Sequence, residues 1–332
     1  MTTAVHKHSP LGIILIVGAA VAFFVTAIFN GAAGSFGKNI GLFYSSTGNI
    51  SFLYDTQITP AGWVFSIWGF IYTWQALYLV YGITTIFRKC EDGYLYQAPP
   101  VVPIYTYGVY VINMMINLTW IFCWDRQWMI AGLVIIALMV FSLHVMLFCC
   151  YREFDKVAMA LIKYGKSYEV WLVRIICHNA WAFYCGWISV ATLLNLTIVM
   201  AYRGRVSVQD ASTVSLSILT VELLLYFCLE TFVFDRFLRY QFSQYIPVLF
   251  ALIGGLTKNW QPNSRNSIFT AVLLGIAVCL SIAKLVIMIV RHKRSPLPNQ
   301  KVSDSSMNVK DDETKTIPDT PPPEYDNKLQ DV

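Results

Sequence analysis

The sequence predicts an all-α membrane protein, a polytopic helical bundle of about eight transmembrane helices. Of its 332 residues, 56% are hydrophobic and 13% are charged, whereas soluble domains carry about 25% charged residues. Crossing a hydrocarbon core of roughly 30 Å takes about 20 apolar residues, and such stretches recur along the chain. We predict spans near 11–30, 60–87, 103–124, 128–150, 170–201, 213–234, 242–258 and 267–290.

The first and seventh spans leave alternatives open. The run 11–29 follows a basic segment and precedes small residues, as in a signal peptide. It is longer than the roughly 7–15 apolar residues of such a peptide, which favours a retained helix. Segment 242–258 is short and contains Pro247 and the pair Gly254-Gly255, so it is either a broken helix or an incomplete crossing.

Lysine and arginine are distributed unequally between the two sides of the predicted bundle. With eight spans, twelve of them fall on one side and six on the other. Because positively charged loops resist translocation, both termini, including residues 1–10, are predicted to be cytosolic. The net charge of +5 follows from this topology, and no basic patch typical of nucleic-acid binding is present.

Loop 31–59 is the one long segment on the predicted external side. It is rich in glycine and contains the sequon Asn49-Ile50-Ser51. It therefore predicts a glycan at Asn49 and a lid over the bundle. A glycan would place the protein in the secretory pathway or the plasma membrane.

Residues 291–332 are predicted to form a disordered cytosolic tail, because Ser, Asp, Lys and Pro dominate there and cannot build a core. The tail contains a Pro-Pro-x-Tyr motif formed by Pro322, Pro323 and Tyr325. An extended polyproline segment binds the aromatic grooves of WW domains, such as those of ubiquitin ligases, at low ordering cost. Ordinary proline-rich linker composition is the alternative.

Three spans carry aromatic and amide side chains at helical spacing. Asn113 and Asn117 in the third span are four residues apart and so share one helix face. A buried amide in lipid needs a partner, so this face points at other helices or at a cavity. Interhelical packing without any ligand explains these residues equally well.

These segments resemble the TspO, or translocator-protein, family of tryptophan-rich sensory proteins. Members begin their second helix with Pro-x-x-Trp-x-Phe and carry Asn-x-x-Trp in the third and Trp-x-x-x-Ala-x-x-x-Asn in the fifth. The matching residues occur in the same order: Pro60, Trp63 and Phe65; Asn117 and Trp120; Trp187, Ala191 and Asn195. The resemblance covers about residues 11–202, and 203–290 would add three transmembrane helices to that five-helix unit.

The resemblance implies a cavity, capped by loop 31–59, that binds a hydrophobic planar ligand of the porphyrin or sterol class. The ligand-binding residues that it implies are Trp63, Phe65, Trp68, Tyr72, Asn117, Trp120, Trp187 and Asn195. One departure concerns Trp68: two residues separate it from Phe65 where the family has three, a rotation of about 100° on an α-helix. Val199, Tyr202 and Arg205 also fit a proposed cholesterol-contact pattern, which many helix ends match.

Ionisable side chains inside the predicted spans form a further set: His144, Arg174, His178, Glu222, Glu230 and Lys284. Glu230 and Lys284 lie at similar depth, which predicts an ion pair, whereas Glu222 has no obvious partner. Such groups are costly in hydrocarbon. A structural pair with a protonated carboxyl is one interpretation, and a proton or substrate path is the other.

The sequence contains no enzyme motif, neither a phosphate-binding loop nor a nucleophile with a base at defined spacing. Its eight scattered cysteines lack metal-ligand spacing, so we expect no cofactor and no metal. The leading interpretation is a sensor or carrier for a planar hydrophobic ligand. The alternatives are a proton-coupled secondary transporter and a membrane adaptor that recruits WW-domain proteins through its tail.

Overall fold

A computed structural model describes residues 7–297 of the protein, and most of these residues are helical. The helices are α1 Pro10–Gly34, α2 Thr47–Leu53, α3 Ile67–Phe87, α4 Ile104–Asp125, α5 Met129–Lys163, α6 Ser167–Leu172, α7 Asn179–Tyr202, α8 Val208–Cys228, α9 Asp235–Leu238, α10 Tyr245–Asn259 and α11 Arg265–Arg294. A 3₁₀ turn, Gly62–Ser66, leads into α3, and π-helical turns join α6 to α7 and extend α8. Strands β1 Lys89–Cys90 and β2 Gly93–Tyr94 form a small antiparallel hairpin.

Seven helices in the described part of the chain are long and apolar enough to cross a membrane. They are Pro10–Gly34, Gly62–Phe87, Ile104–Asp125, Met129–Lys163, Ser167–Tyr202, Val208–Val233 and Arg265–Arg294. The predicted membrane bundle is therefore confirmed, with every predicted span except the seventh matched by a full-length helix. Helix α1 packs against α4 and α3 through Ile16, Ala19 and Phe23, which are buried.

The seventh predicted span is a broken pass. Its helix, α10, has 15 residues and is about 22 Å long, less than the roughly 30 Å of a bilayer core. Helices α8 and α11 run parallel: Arg265 pairs with Asp210 near their first turns, and Arg291 pairs with Asp235 beyond the end of α8, at 2.6 Å each. Two parallel helices begin at the same end of the bundle. After α8 the chain must therefore cross back to the end where α8 began, and it does so through 234–244 and then α10.

The irregular part of this pass obtains its hydrogen bonds from the side chain of Asn179 in α7. The Asn179 Oδ1 accepts from the N–H of Phe242 at 3.1 Å and of Ser243 at 3.2 Å, and its Nδ2 donates to the carbonyl of Tyr240 at 3.0 Å. Ser243 returns a bond from its hydroxyl to the Asn179 carbonyl at 2.6 Å. Inside a membrane no water can satisfy such backbone groups, so one amide takes the place of water.

Glycines hold α10 close to its neighbours. The carbonyl of Gly254 accepts from the N–H of Ala61 at 3.0 Å, and a Cβ on Gly254 would lie 2.0 Å from Val64 Cγ2. Small residues permit such close approach between membrane helices. Gly254 and Gly255 thus do not break the helix, and Pro247 lies in its first turn, where proline is tolerated. The break comes earlier, in 239–244.

Three predicted boundaries differ from the observed ones. Loop 31–59 contains helix α2 and begins only after α1 ends at Gly34, α5 continues 13 residues beyond position 150, and α11 includes the first four residues of the predicted tail, 291–294. Hydropathy marks where an apolar stretch ends, but a helix continues into water when charged side chains can support it. Lys156 and Glu153, a pair three residues apart on α5, provide such support.

Candidate ligand-binding cavity

An apolar cavity of about 80 Å³ lies between the start of α3, helices α4 and α7, and the helices beyond residue 203. Five of the residues implied by the family resemblance line it: Phe65, Trp68, Trp120, Trp187 and Asn195. Helix α2 supplies Thr47 and Ser51 to the same wall, so part of loop 31–59 closes the cavity. With Trp124, which also lines it, four indole rings and one phenyl ring face a common space.

The 3₁₀ turn Gly62–Ser66 explains how Trp68 reaches the cavity beside Phe65. On a regular α-helix, residues three apart are offset by about 60°. In a 3₁₀ helix, which has 3.0 residues per turn, positions i and i+3 eclipse. The chain passes from the 3₁₀ turn into α3 between Phe65 and Trp68. The tighter winding of the turn compensates for the spacing that is one residue shorter than in the family, and it brings both rings to one face.

The cavity wall contains four buried polar atoms that have no hydrogen-bond partner among the described residues: Ser51 Oγ, Trp120 Nε1, Trp187 Nε1 and Asn195 Oδ1. The other amide atom of Asn195, Nδ2, donates to the carbonyl of Ala191 at 2.8 Å, which leaves Oδ1 as a free acceptor. Unsatisfied buried polar groups cost free energy. A ligand with a donor and an acceptor would satisfy them.

Three of the residues implied by the resemblance do not line the cavity: Trp63, Tyr72 and Asn117. Trp63 is 47% exposed and packs edge-on against Phe250. Tyr72 lies behind the wall, its ring stacked on Trp68 with centroids 5.5 Å apart.

Both polar atoms of the Asn117 amide form hydrogen bonds to neighbouring helices. Its Oδ1 accepts from Asn30 at 2.8 Å and its Nδ2 donates to the hydroxyl of Tyr184 at 3.3 Å. Asn113 likewise donates to the Met139 carbonyl of α5 at 3.1 Å. The face shared by these two amides meets other helices, as the alternative interpretation held.

Much of the cavity wall comes from residues that carried no signal in the sequence. Helices α8, α10 and α11 contribute Ser215, Leu216, Leu219, Ala251, Leu252, Gly255 and Thr270. Asp125 does not line the cavity, but it anchors the loop that covers it: it is 3% exposed, and its carboxylate accepts from the N–H groups of Tyr44 at 2.9 Å and Ser45 at 3.1 Å. In the sequence, Asp125 stands at the end of an apolar run and is followed by Arg126. This position could have indicated that its carboxylate holds the neighbouring loop.

The predicted ion pair between Glu230 and Lys284 is present, with Lys284 Nζ 2.9 Å from Glu230 Oε2. Both side chains are almost entirely buried, and the hydroxyl of Tyr245 donates to the other oxygen of Glu230. Just beyond this pair, burial raises the pKa of Asp235, but hydrogen bonds from Arg239 and Arg291 outweigh it, and the net shift is downward. Each carboxylate at this end of α8 therefore has at least one basic partner.

The remaining predicted sites lie apart from the cavity. Glu222 faces a separate groove. Tyr202 donates its hydroxyl to the Asp55 carbonyl at 2.7 Å, Arg205 is exposed, and Val199 packs against the core. Asn49 is exposed on α2. Pro322, Pro323 and Tyr325 lie outside the described residues. Within 7–297, no group of three His, Cys, Asp or Glu residues is placed to hold a metal ion.

Comparison with known proteins gives one match. Residues 13–287 match the family model described as TSPO-like protein; no curated protein and no solved structure matches the chain. The matched range extends well past residue 202, so it includes the three segments beyond the five-helix unit as well as the cavity-forming helices α3, α4 and α7. The chain is therefore a multi-pass membrane protein that belongs to the TSPO-like family.

Proposed function

We propose that the protein binds a hydrophobic planar ligand of the porphyrin or sterol class in this cavity, as a sensor or carrier. The observation that carries the proposal is the set of unpartnered polar atoms on an otherwise apolar, tryptophan-walled space. Ligand sites typically combine aromatic walls with a few polar groups that fix orientation. Trp120 Nε1 and Asn195 Oδ1 both lie close to Gly132 of α5, at 3.9 and 3.8 Å from where its Cβ would be.

The lining favours a sterol over a porphyrin. A sterol presents one hydroxyl group, which can accept from the Trp120 indole and donate to Asn195. Natural porphyrins carry carboxylates, and burying a carboxylate without a cation is costly. No Lys, Arg or His is among the residues that line the cavity.

Binding has to be coupled to an opening of the cavity. Its volume of about 80 Å³ is smaller than the roughly 150 Å³ that holds a benzene molecule in an engineered protein cavity. A sterol is several times larger than benzene, so the wall formed by α8, α10 and α11 must separate from α7. Because α2 and the Asp125-anchored loop cover one end, the ligand enters by displacing this lid or between helices.

Trp120→Phe is expected to weaken sterol binding severalfold to tenfold. The substitution keeps an aromatic face but removes the N–H donor, and a hydrogen bond of this kind contributes about 0.5–1.5 kcal/mol. The fluorescent sterol dehydroergosterol, added to protein in phosphatidylcholine nanodiscs, reports binding by energy transfer from tryptophan. Asn195→Leu, which removes the acceptor, is expected to have an effect of similar size.

Trp63→Leu is the matched control, because it removes an exposed indole that does not line the cavity, and it should leave affinity unchanged after correction for the lost emission. Unchanged affinity in both Trp120→Phe and Asn195→Leu would refute binding in this cavity. Protoporphyrin binding as tight as that of the sterol would overturn the preference between the two classes. Uptake into proteoliposomes that depends on a proton gradient would identify a coupled transporter instead.

We further propose that both termini are cytosolic and that loop 31–59 faces the lumen or the cell exterior. The exposed side chain of Asn49 and the excess of basic residues at the opposite end support this orientation. In cells, endoglycosidase should increase the electrophoretic mobility of the wild-type protein and leave Asn49→Gln unchanged. Cytosolic protease cleavage within 31–59 in sealed microsomes would contradict the orientation.

A further inference from the structure

A second recess, here called the lateral groove, opens on the flank of the bundle among α5, α7, α8 and α10. Leu219 lines both the cavity and the lateral groove, so the two lie in series along the seam between α7 and α8. The groove has an apolar floor that includes Leu223 and Val248. Its polar side chains are His144, Ser189, Thr192, Glu222, Tyr226, Gln244 and Tyr245.

Glu222 is the only carboxylate among the residues that line the lateral groove. It lies near the middle of the helical span Val208–Val233, and its side chain is exposed on the flank of the bundle. Within the described residues it forms no hydrogen bond and no ion pair. A lone ionisable group at membrane depth is costly and normally marks a functional site.

Within residues 7–297, no Lys or Arg side chain is available to Glu222 in the groove. The lining contains no Lys or Arg. His144 lies outside ion-pair distance, and its Nδ1 is 2.9 Å from the Val140 carbonyl of its own helix. Lys284, a buried ammonium group that also contacts α8, is already paired with Glu230. An ionised Glu222 therefore needs its balancing charge from a bound molecule.

The hydroxyl groups of Ser189 and Thr192 are free to act as acceptors in the lateral groove. Ser189 donates its proton to the Cys185 carbonyl at 3.0 Å, and Thr192 donates its proton to the Ile188 carbonyl at 2.8 Å. Each oxygen therefore presents lone pairs, not a proton, to the groove. A carboxylate beside two such oxygens is complementary to a group that is both positively charged and rich in N–H donors.

We propose that the lateral groove binds a lipophilic amine, a molecule with a compact apolar body and a protonated amino group. The ammonium group pairs with Glu222 and donates to Ser189 and Thr192, while the apolar body lies against Leu223 and Val248. Because the groove opens on the membrane-facing flank, the amine reaches it from the bilayer. This site is separate from the sterol cavity and does not depend on it.

Binding of tritiated 1-adamantylamine to the full chain in phosphatidylcholine nanodiscs tests the proposal. Its neutral counterpart, 1-adamantanol, has the same shape and lacks the charge. The wild type should bind the amine at least tenfold more tightly than the alcohol, because charge-assisted hydrogen bonds are about twice as strong as neutral ones. Glu222→Gln should lose this difference, whereas Glu153→Gln, which removes an exposed carboxylate from α5 outside the groove, should retain it.

Equal affinity for the amine and the alcohol, or an unchanged preference in Glu222→Gln, would overturn the proposal. If Glu222→Gln does not fold, Thr192→Val decides instead: it removes one acceptor at constant shape and should weaken amine binding twofold to fivefold, and unchanged binding would refute the site. Dehydroergosterol binding is measured on the same preparations. Loss of sterol binding without loss of amine binding, or the reverse, separates the failure of one site from that of the other.

Discussion

Lys284→Leu is expected to lower the free energy of unfolding by about 3–5 kcal/mol, the usual cost of leaving a buried charge without its partner. Glu230 is fully buried, and its counter-ion is the Lys284 ammonium group at 2.9 Å. Without Lys284 the carboxyl group must remain charged in a site shielded from water or take up a proton. Since deprotonation becomes more favourable as pH rises, the destabilisation should increase with pH. Unfolding titrations in detergent micelles measure it.

The double variant Glu230→Gln/Lys284→Leu separates charge from packing. Glutamine still accepts from Tyr245, so the double variant should be more stable than Lys284→Leu alone. Part of the loss should persist, because Lys284 also donates to the Leu238 carbonyl at 3.1 Å. Lys258→Leu breaks a partly exposed pair with Asp55 and should cost less than Lys284→Leu, about 1 kcal/mol. Additive effects of the two single changes would refute the coupling.

Asn179→Leu should destabilise the protein by at least about 3 kcal/mol. The substitution removes the acceptor for two backbone N–H groups and the donor for two carbonyls, those of Tyr240 and Arg174. Each buried group left unpaired costs about 1–3 kcal/mol, and in the membrane no water replaces the lost partner. Thermal unfolding in micelles gives the size of the effect.

Asn179→Asp is the informative companion, because it keeps the acceptor for Phe242 and Ser243. Its protonated carboxyl can still donate to one carbonyl, whereas its ionised form places an oxygen against the carbonyls of Tyr240 and Arg174 and buries a charge. At low pH it should therefore be intermediate in stability between the wild type and Asn179→Leu, and its stability should fall as the pH rises. Asn39→Leu, at an exposed loop position, controls for the change of residue type. Equal stability of Asn179→Leu and the wild type would mean that 239–244 rearranges and finds other partners.

The spanning helices could be predicted from sequence because long uncharged stretches have few alternatives to crossing a membrane. For segment 242–258, its length, Pro247 and the pair Gly254-Gly255 left a broken helix and an incomplete crossing both open, and the place of the break was not predicted. Gly254 looks like a helix breaker in a sequence, whereas in the structure it permits a close contact with Val64. Whether a glycine bends a helix or admits a neighbour depends on what packs against it.

The candidate cavity was only partly predictable, for a related reason. Two amides on one helix face, Asn113 and Asn117, show that the face points inward, but not whether it meets a cavity or another helix. The opposite wall consists of small and aliphatic residues, such as Leu216 and Ala251, which are ordinary for any membrane helix. Trp68 reached the cavity because a 3₁₀ turn precedes α3, and local winding of this kind cannot be read from spacing alone.

The dependence of segment 239–244 on Asn179 also constrains how the chain can be synthesised. A 15-residue helix preceded by unpaired backbone is a poor substrate for insertion into lipid by itself. The segment can enter the bilayer only against an α7 that is already in place, and α11, made last, then covers it. The order of elements along the chain is thus also an order of assembly. A nascent chain halted near residue 264 should keep its last pass exposed to the quality-control machinery of the membrane.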